Sequence, residues 1–332
     1  MNRVFVTRAV PGDALDHLRS AGCAVDLWPV EQPPSWEELA ERIAGADGAM
    51  TMVSDPINDL MLEGAPMLQV IANVAVGYDN VDLESASRRG IWVTNTPGVL
   101  AETVADFTFA LLLSAARRVA ESDRRTREHG WGAWSPTAFV GPDVFGATLG
   151  IIGMGEIGEA VARRARGFNM RVLYTSRTRK PGVEQQGLAE WASMDDLLGQ
   201  ADFVSLHTPL TPETRRFFGT DQLAHMKRSA ILVNTARGGV IDQDALVQAI
   251  ENGKIAGAAL DVAEPEPLPL DHRLYSFDNV LITPHIGSAS LATRSKMARM
   301  AAENILAVFR GERPPNPVNE PAPRNPRPDT GG

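Results

Sequence analysis

The run TLGIIGMGEIGEAVARRA at 148–165 restricts the fold more than any other stretch of the chain. An apolar segment ends in glycines at 153, 155 and 158, the G-x-G-x-x-G spacing, and an amphipathic helical pattern follows. Each glycine has its own mechanical task. Gly153 permits a tight turn out of a strand, Gly155 lets backbone approach a pyrophosphate, and Gly158 lets helix pack closely on strand. The amides at the helix start, those of Glu156 and Ile157 among them, would face the phosphates, where the macrodipole favours negative charge. Glu156 adds charge of the wrong sign there, so its side chain is expected to point outward. A bare glycine triplet is weak; the preceding strand, the following helix and a second strand at 171–176 are the context that predicts a dinucleotide-binding βαβ unit.

The same alternation runs through the chain. Strands are expected in RVFVTRAV, CAVDLW, DGAMTMV and LQVIANV, with GDALDHLRSAG, SWEELAERIAGA and NDLMLEGAP as helices between them. Ser35 with Glu38 three residues on reads as a capping box. After about residue 100, ETVADFTFALLLSAARRVAESDRRTREHG carries helical periodicity for far longer than an ordinary helix. It is apolar in its first half, studded with Arg and Glu in its second, and suited to a connector. Beyond the glycine loop, RVLYTS, DFVSLHTPL, AILVNTARGG, IAGAALDV and NVLITPHIG repeat the strand pattern, and LATRSKMARMAAENILAVFRG closes it as a helix. Such alternation predicts parallel sheets covered on both faces. A length of 332 residues favours two α/β domains over one core. The tail from about 312, rich in Pro, is expected to be mostly irregular: an end that packs briefly and frays, or a partner-binding segment.

A formal net charge of −9 disfavours a nucleic-acid partner, which needs clustered cations. No apolar run is long enough to span a bilayer. Cys23 is the only cysteine and reads as a small buried hydrophobe. A cytoplasmic protein without a targeting segment or metal site is expected.

The stretch RVLYTSRTRK answers a question about the cofactor. After the second strand of such a unit a carboxylate usually holds the adenosine ribose hydroxyls. Here Ser176, Arg177 and Thr178 stand in its place. Arg177 can grip a 2′-phosphate bidentately, with hydroxyls beside it and Arg179 and Lys180 adding to the field. This predicts NADP(H) in preference to NAD(H); a solvated basic turn that accepts either cofactor is the alternative.

Three polar side chains close later strands: Arg237 in LVNTARGG, Asp261 with Glu266 beyond it in AALDVAEPEPLP, and His285 in VLITPHIGSAS. Ligands of open parallel sheets gather at the carboxyl ends of strands. Hydride transfer to a ketone builds charge on oxygen, which calls for a proton donor and a positive field. His285 can donate as imidazolium. Glu266 on its other ring nitrogen would fix the tautomer and favour the charged ring. Arg237 offers a fork of donors to a carboxylate and its neighbouring carbonyl. Asp261 is expected to accept from the nicotinamide carboxamide, and Glu264 to be an exposed neighbour. Together these predict reduction of a 2-oxo acid.

In order and spacing, GIIGMGEIG, NTARGGVID, AGAALDVAEPEPLP and ITPHIGSA resemble the D-isomer-specific 2-hydroxyacid dehydrogenases, over nearly all the chain except the Pro-rich tail. VLYTSRTRK, together with LDVAEPEPLPLDHRLYSFDNVLITPHIGSA, is similar to their glyoxylate/hydroxypyruvate reductase branch. The resemblance implies that Arg237 binds substrate, Glu266 pairs with the histidine and His285 is the acid/base. It implies two Rossmann-like or flavodoxin-like parallel-sheet domains with a cleft that closes: 1–100 plus 287–332 for substrate, 101–286 for the dinucleotide. It assigns Thr103, His207, Thr208 and Pro209, then Thr235, Ala236 and Gly287, to the cofactor. Val76 and Gly77 would present amides to the substrate carboxylate, with Ser54 and Ser288 beside the substrate, although a plain strand-end turn also explains Val76–Gly77 and a plain helix start explains Thr103. The loop HGWGAWSPTAF would be a homodimer arm, with Trp134 reaching the partner subunit's substrate. Reduction of 2-ketogluconate, or a dinucleotide-sensing corepressor without turnover, are the rival readings.

Overall fold

The structure, a computed structural model, describes residues 1–323; the last part of the Pro-rich tail lies outside the described residues. In chain order the elements begin β1 (Arg3–Val6), α1 (Ala14–Ser20), β2 (Ala24–Leu27), α2 (Trp36–Ala44), β3 (Gly48–Thr51), α3 (Asp59–Glu63), β4 (Val70–Asn73), α4 (Leu83–Arg88) and β5 (Trp92–Thr94). They continue with α5 (Ala101–Ala116), α6 (Val119–His129), β6 (Thr148–Ile152), α7 (Glu156–Ala165), β7 (Arg171–Thr175), α8 (Pro181–Gln185), β8 (Glu190–Trp191), α9 (Met194–Gln200) and β9 (Phe203–Leu206). The last are α10 (Thr220–His225), β10 (Ile231–Asn234), α11 (Gln243–Glu251), β11 (Gly257–Leu260), β12 (Val280–Ile282) and α12 (Leu291–Phe309). The chain divides into two compact units: Met1–Leu100 with the segment from Ala289 onward, and Ala101–Ser288.

The first unit is a five-stranded sheet of order β2-β1-β3-β4-β5, every pair parallel. Its inner strands β1, β3 and β4 are buried on both faces because their side chains alternate between two cores. Phe5, Ala49, Ile71 and Val93 face α2 and α3 residues such as Leu39, Ile43 and Leu62. Val4, Val6, Met50, Val70 and Ala72 face α1 and α12, with Leu18, Ala298, Ala301, Ala302 and Ile305. The capping box at the start of α2 is present, Ser35 Oγ accepting from Glu38 N–H at 3.2 Å and Glu38 Oε2 from Ser35 N–H at 2.8 Å. Cys23 is buried, and burial pushes its thiol pKa up.

The second unit carries seven parallel strands in the order β12-β11-β10-β9-β6-β7-β8. Ile151, Tyr174, Phe203, Val233 and Ala259 face α5 and α7. Leu173, Val204, Leu206, Leu232 and Ala258 face α9, α10 and α11. Strand order reverses between β6 and β9, so the glycine loop after β6 lies at the switch point where doubly wound sheets bind ligands.

Two expectations are corrected. The long connector is two helices: Arg118 takes a left-handed conformation, φ 52°, between α5 and α6. The break is held by a buried carboxylate. Glu121 accepts from Arg118 Nε at 2.7 Å and Nη2 at 2.8 Å, with Arg125 Nε at 3.3 Å. The proline-rich segment is irregular but does more than pack briefly. Pro317 bridges Thr94 in the antiparallel sense, and Val318 N–H donates to Val93 O at 2.9 Å. Asn319 accepts from Val93 N–H at 2.8 Å and donates to Ile91 O at 2.9 Å. The open edge of β5 is thereby covered, which removes a template for pairing with another chain.

Candidate active site

Strand register brings the polar side chains together. Asn234, Leu260 and Ile282 stand abreast at the ends of β10, β11 and β12. The next residues leave the sheet side by side, tied by Asp261 N–H to Asn234 O at 2.9 Å, Thr283 N–H to Leu260 O at 2.8 Å and His285 N–H to Asp261 O at 2.8 Å. Arg237 follows β10 by three residues, with its carbonyl held by Asn234 Nδ2 at 2.9 Å. The turn behind it, Gly238–Val240, packs bare backbone on backbone: a Cβ on Gly238 would lie 2.0 Å from the carbonyl carbon and oxygen of Ala263. The loops that carry Arg237 and Glu266 therefore touch where no side chain fits.

Glu266 divides its carboxylate. Oε1 accepts from Ala263 N–H at 3.0 Å, and Oε2 pairs with His285 Nδ1 at 2.7 Å. Both side chains are about one-third exposed, so the pair is open to solvent. His285 sits at φ 54°, a conformation rare for a side-chain-bearing residue and often found at functional sites. Asp261 braces it from below. Oδ1 accepts from Thr283 Oγ1 at 2.7 Å and Ile286 N–H at 2.9 Å, and Oδ2 from Gly287 N–H at 2.7 Å. Gly287 thereby belongs to the unit that carries Asp261. Burial pushes the Asp261 pKa up, against the pull of these hydrogen bonds. The carboxylate expected to meet a carboxamide is thus engaged by the His285 loop on both oxygens. Asn at 261 would set an NH₂ against one of those amides, and an unsatisfied buried donor costs about 1–3 kcal/mol. Asp261→Asn is expected to lower the midpoint of chemical denaturation with an unchanged m-value.

The glycine loop suits a dinucleotide phosphate. Gly153, at φ 100°, lies so close to the strand-end backbone of β9 that a Cβ would be 2.6 Å from the His207 carbonyl oxygen. Gly158 is equally closed, 2.3 Å from Gly153 O, whereas Gly155 faces open space. Glu156 is exposed. Beside the loop, His207 Nε2 bonds Ser205 Oγ at 2.8 Å, and burial pushes the imidazole pKa down to about 4, keeping it neutral. Among the described residues, His207 Nδ1 and Thr208 Oγ1 are buried polar atoms without a partner. Orphaned groups beside an open phosphate cradle are what a cofactor-binding loop requires, so these residues fit a nicotinamide dinucleotide.

The remaining assignments are more mixed. Thr103 lies in the first turn of α5, and Pro209 accepts through its carbonyl from Thr214 Oγ1 at 2.6 Å. Thr235 Oγ1 meets Thr108 Oγ1 at 2.9 Å, and Ala236 N–H donates to Asn234 Oδ1 at 3.0 Å, so both are used inside the unit. Ser176 Oγ donates to Thr178 O at 2.7 Å, which shapes the turn around Arg177. Arg179 is bound to Glu184 at 2.6 and 2.8 Å and stacks on Trp191, so it does not add to the field as expected. Glu264 is no bystander: Arg215 and Arg216 hold its carboxylate.

In the first unit, Ser54 is exposed beside the β1/β3 switch point, in a loop pinned by buried Asp55. Asp55 accepts from Thr7 Oγ1 at 2.5 Å and Met52 N–H at 2.8 Å, a brace the sequence reading missed. The carbonyls of Val76 and Gly77 are taken by Asn95 Nδ2 at 2.8 Å and Asn73 Nδ2 at 2.9 Å, while their N–H groups meet no acceptor among the described residues. Asn73, at the end of β4, was legible only as a strand-end amide. Ser288 ends the second unit, half-buried. Trp134 is 85% exposed, as are Trp131 and Phe145 to similar degrees.

Comparison with known proteins gives the same picture. The family described as D-isomer specific 2-hydroxyacid dehydrogenase, NAD binding domain, matches residues 109–287. The glyoxylate reductase of Korarchaeum cryptofilum is 53% identical over 319 residues, 96% of each chain. That of Thermococcus gammatolerans is 49% identical over 322 residues, again 96% of each. A Thermus thermophilus protein of known crystal structure superposes with a TM-score of 0.89 at 52% identity, covering 95% of this chain and 99% of that one. An NADPH-dependent glyoxylate/hydroxypyruvate reductase from Sinorhizobium meliloti, solved with NADP and malonate, gives 0.84 at 31% identity over 98% of both chains. The chain belongs to the D-isomer specific 2-hydroxyacid dehydrogenases and carries their nicotinamide dinucleotide-binding domain.

Proposed function

We propose that the protein reduces glyoxylate or hydroxypyruvate to the D-2-hydroxy acid, with NADP(H) in preference to NAD(H) and His285 as proton donor. The observation that carries this reading is the 2.7 Å bond between His285 Nδ1 and Glu266, beside the loop of Arg237. That bond commits Nδ1 to the carboxylate and leaves Nε2 to hold the transferable proton. Arg237 grips the carboxylate of the oxo acid and aligns its carbonyl with Nε2. A reduced nicotinamide held beside this site would supply the hydride that the carbonyl carbon takes. As the carbonyl π bond opens, its oxygen takes the Nε2 proton, and solvent returns a proton to the ring. Thr103, His207, Thr208 and the loop Gly153–Gly158 are the groups suited to hold the dinucleotide. The N–H groups of Val76 and Gly77 are suited to a carboxylate. Ser54 and Ser288 are the further substrate contacts of this reading.

NADP(H) preference is supported by Ser176, Arg177 and Thr178 just past β7, in the place where a ribose-binding carboxylate usually stands, and by the NADPH dependence of the Sinorhizobium relative. The exposed aromatic residues of 131–145 support a homodimer in which Trp134 meets the partner subunit. Among the described residues no helix is long and apolar enough to cross a membrane, and the lone cysteine is buried, which fits work in the cytoplasm.

Steady-state kinetics with glyoxylate, hydroxypyruvate and 2-ketogluconate, each with both cofactors, tests the reading. Turnover is expected to be fastest with one of the two shorter acids and NADPH. A charge-assisted hydrogen bond is worth about 1.5–3 kcal/mol, so Arg177→Ala should raise the KM for NADPH by about tenfold or more and leave that for NADH within about twofold. Absence of turnover with every oxo acid would overturn the function; an NADH preference indifferent to Arg177 would overturn the cofactor assignment.

A further inference from the structure

We propose that Gln243 is a positioning residue for proton transfer, acting on Glu266 through the main chain of Glu264; this rests on the reading of Glu266 as the carboxylate that orients His285. Gln243 opens α11, whose first turn is capped by Asp242 accepting from Ala245 N–H at 3.1 Å. Its side-chain amide is paired twice with one residue of the catalytic loop. Nε2 donates to the carbonyl of Glu264 at 2.5 Å, and Oε1 accepts from the N–H of Glu264 at 2.9 Å. One amide orientation alone satisfies both bonds, so the pair holds the segment in register as a strand partner would. The carboxylate of Glu264 is fixed as well, by Arg215 and by Arg216 at 3.8 Å.

The bend from Ala263 to Glu266 is closed on itself by the bond from Ala263 N–H to Glu266 Oε1. It leans on Gly238 on one side. Gln243 ties it to the helical layer on the other. A hydrogen bond to an imidazole weakens steeply with angle and distance. Release of this tie lets Glu266 drift from Nδ1 and lets the ring turn, without touching the groups that hold substrate or dinucleotide.

The test is a double-mutant cycle with glyoxylate as substrate, using Gln243→Met, Glu266→Gln and the pair, with Gln243→Glu as a second variant that keeps the acceptor and loses the donor. Melting temperature and dinucleotide affinity, followed by fluorescence, accompany the kinetics. Gln243→Met is expected to lower kcat about tenfold, short of the about hundredfold that a 1 Å misplacement costs. KM and dinucleotide affinity should stay within about twofold, and Gln243→Glu should show the same split. In the Glu266→Gln background, Gln243→Met should cost no more than about twofold, because coupled residues are not additive. Wild-type kcat in both Gln243 variants, or the same tenfold loss when Glu266 is already gone, would overturn the proposal. Wild-type kcat in Glu266→Gln alone would overturn the underlying reading of Glu266.

Discussion

Replacement of His285 by Gln lowers kcat/KM for the oxo acid by about 10³-fold, within the 10²–10⁴ that a positioned general acid contributes, while dinucleotide affinity measured by fluorescence is unchanged. Gln is the informative choice. Its amide can still donate to Glu266 Oε2, which His285 Nδ1 meets at 2.7 Å, so the loop keeps its tie while the transferable proton is lost. The position also demands a backbone that few residues accept, φ 54°. Asn tolerates that region better than most, so His285→Asn should be equally inactive and at least as stable as the Gln variant. If either retains activity within about tenfold of the parent, the proton comes from another group.

Gly238→Ala is the second large effect, and it arises without any change in a charged group. The new methyl would meet Ala263 at 2.0 Å from carbonyl carbon and oxygen and 2.5 Å from Cα, all of it main chain. The loops of Arg237 and Glu266 must part by more than about 1 Å to make room. Overpacking of this kind costs about 1–3 kcal/mol or more, and a 1 Å displacement of reacting groups costs about 10²-fold in rate. A lower melting temperature and a kcat/KM reduced by at least about a hundredfold are expected. Gly239→Ala is the contrast: its methyl would meet the ends of two side chains, Glu264 Oε1 at 3.1 Å and Leu210 Cδ2 at 3.2 Å, which need give by only a few tenths of an ångström. A Gly238→Ala enzyme as active as Gly239→Ala would mean that the two loops need not touch.

These residues differ in how far they could be read in advance. The glycine loop, Arg237 and His285 were legible because parallel sheets deliver function to strand ends, and the strands announce themselves as short apolar runs. The capping box of α2 was legible because both of its bonds span three residues. Glu264 and Gln243 were not, since their partners lie 49 and 21 positions away and an amide gripping main chain leaves no periodic trace. Asp261 was recognised at its strand end, but the amides of the His285 loop that it accepts from were not, because sequence shows an acid near a strand end and not the backbone it will face. The helix break at Arg118 carries neither Gly nor Pro, and it follows from a buried carboxylate whose guanidinium partners flank it by three and four residues. The strands β5 and β8, of three and two residues, were too short to stand out.

The first unit takes its sheet from the front of the chain and α12 from the back, with the whole second unit inserted between. During synthesis the first sheet emerges long before the helix that covers Val4, Val6, Met50, Val70 and Ala72. Until about 300 residues have been made, that apolar face has only α1 for cover and the edge of β5 has none, whereas the inserted unit is contiguous and can complete itself at once. Nascent chains halted just before α12 should therefore be the species that chaperones hold and that aggregate first, with a finished cofactor-binding half already attached.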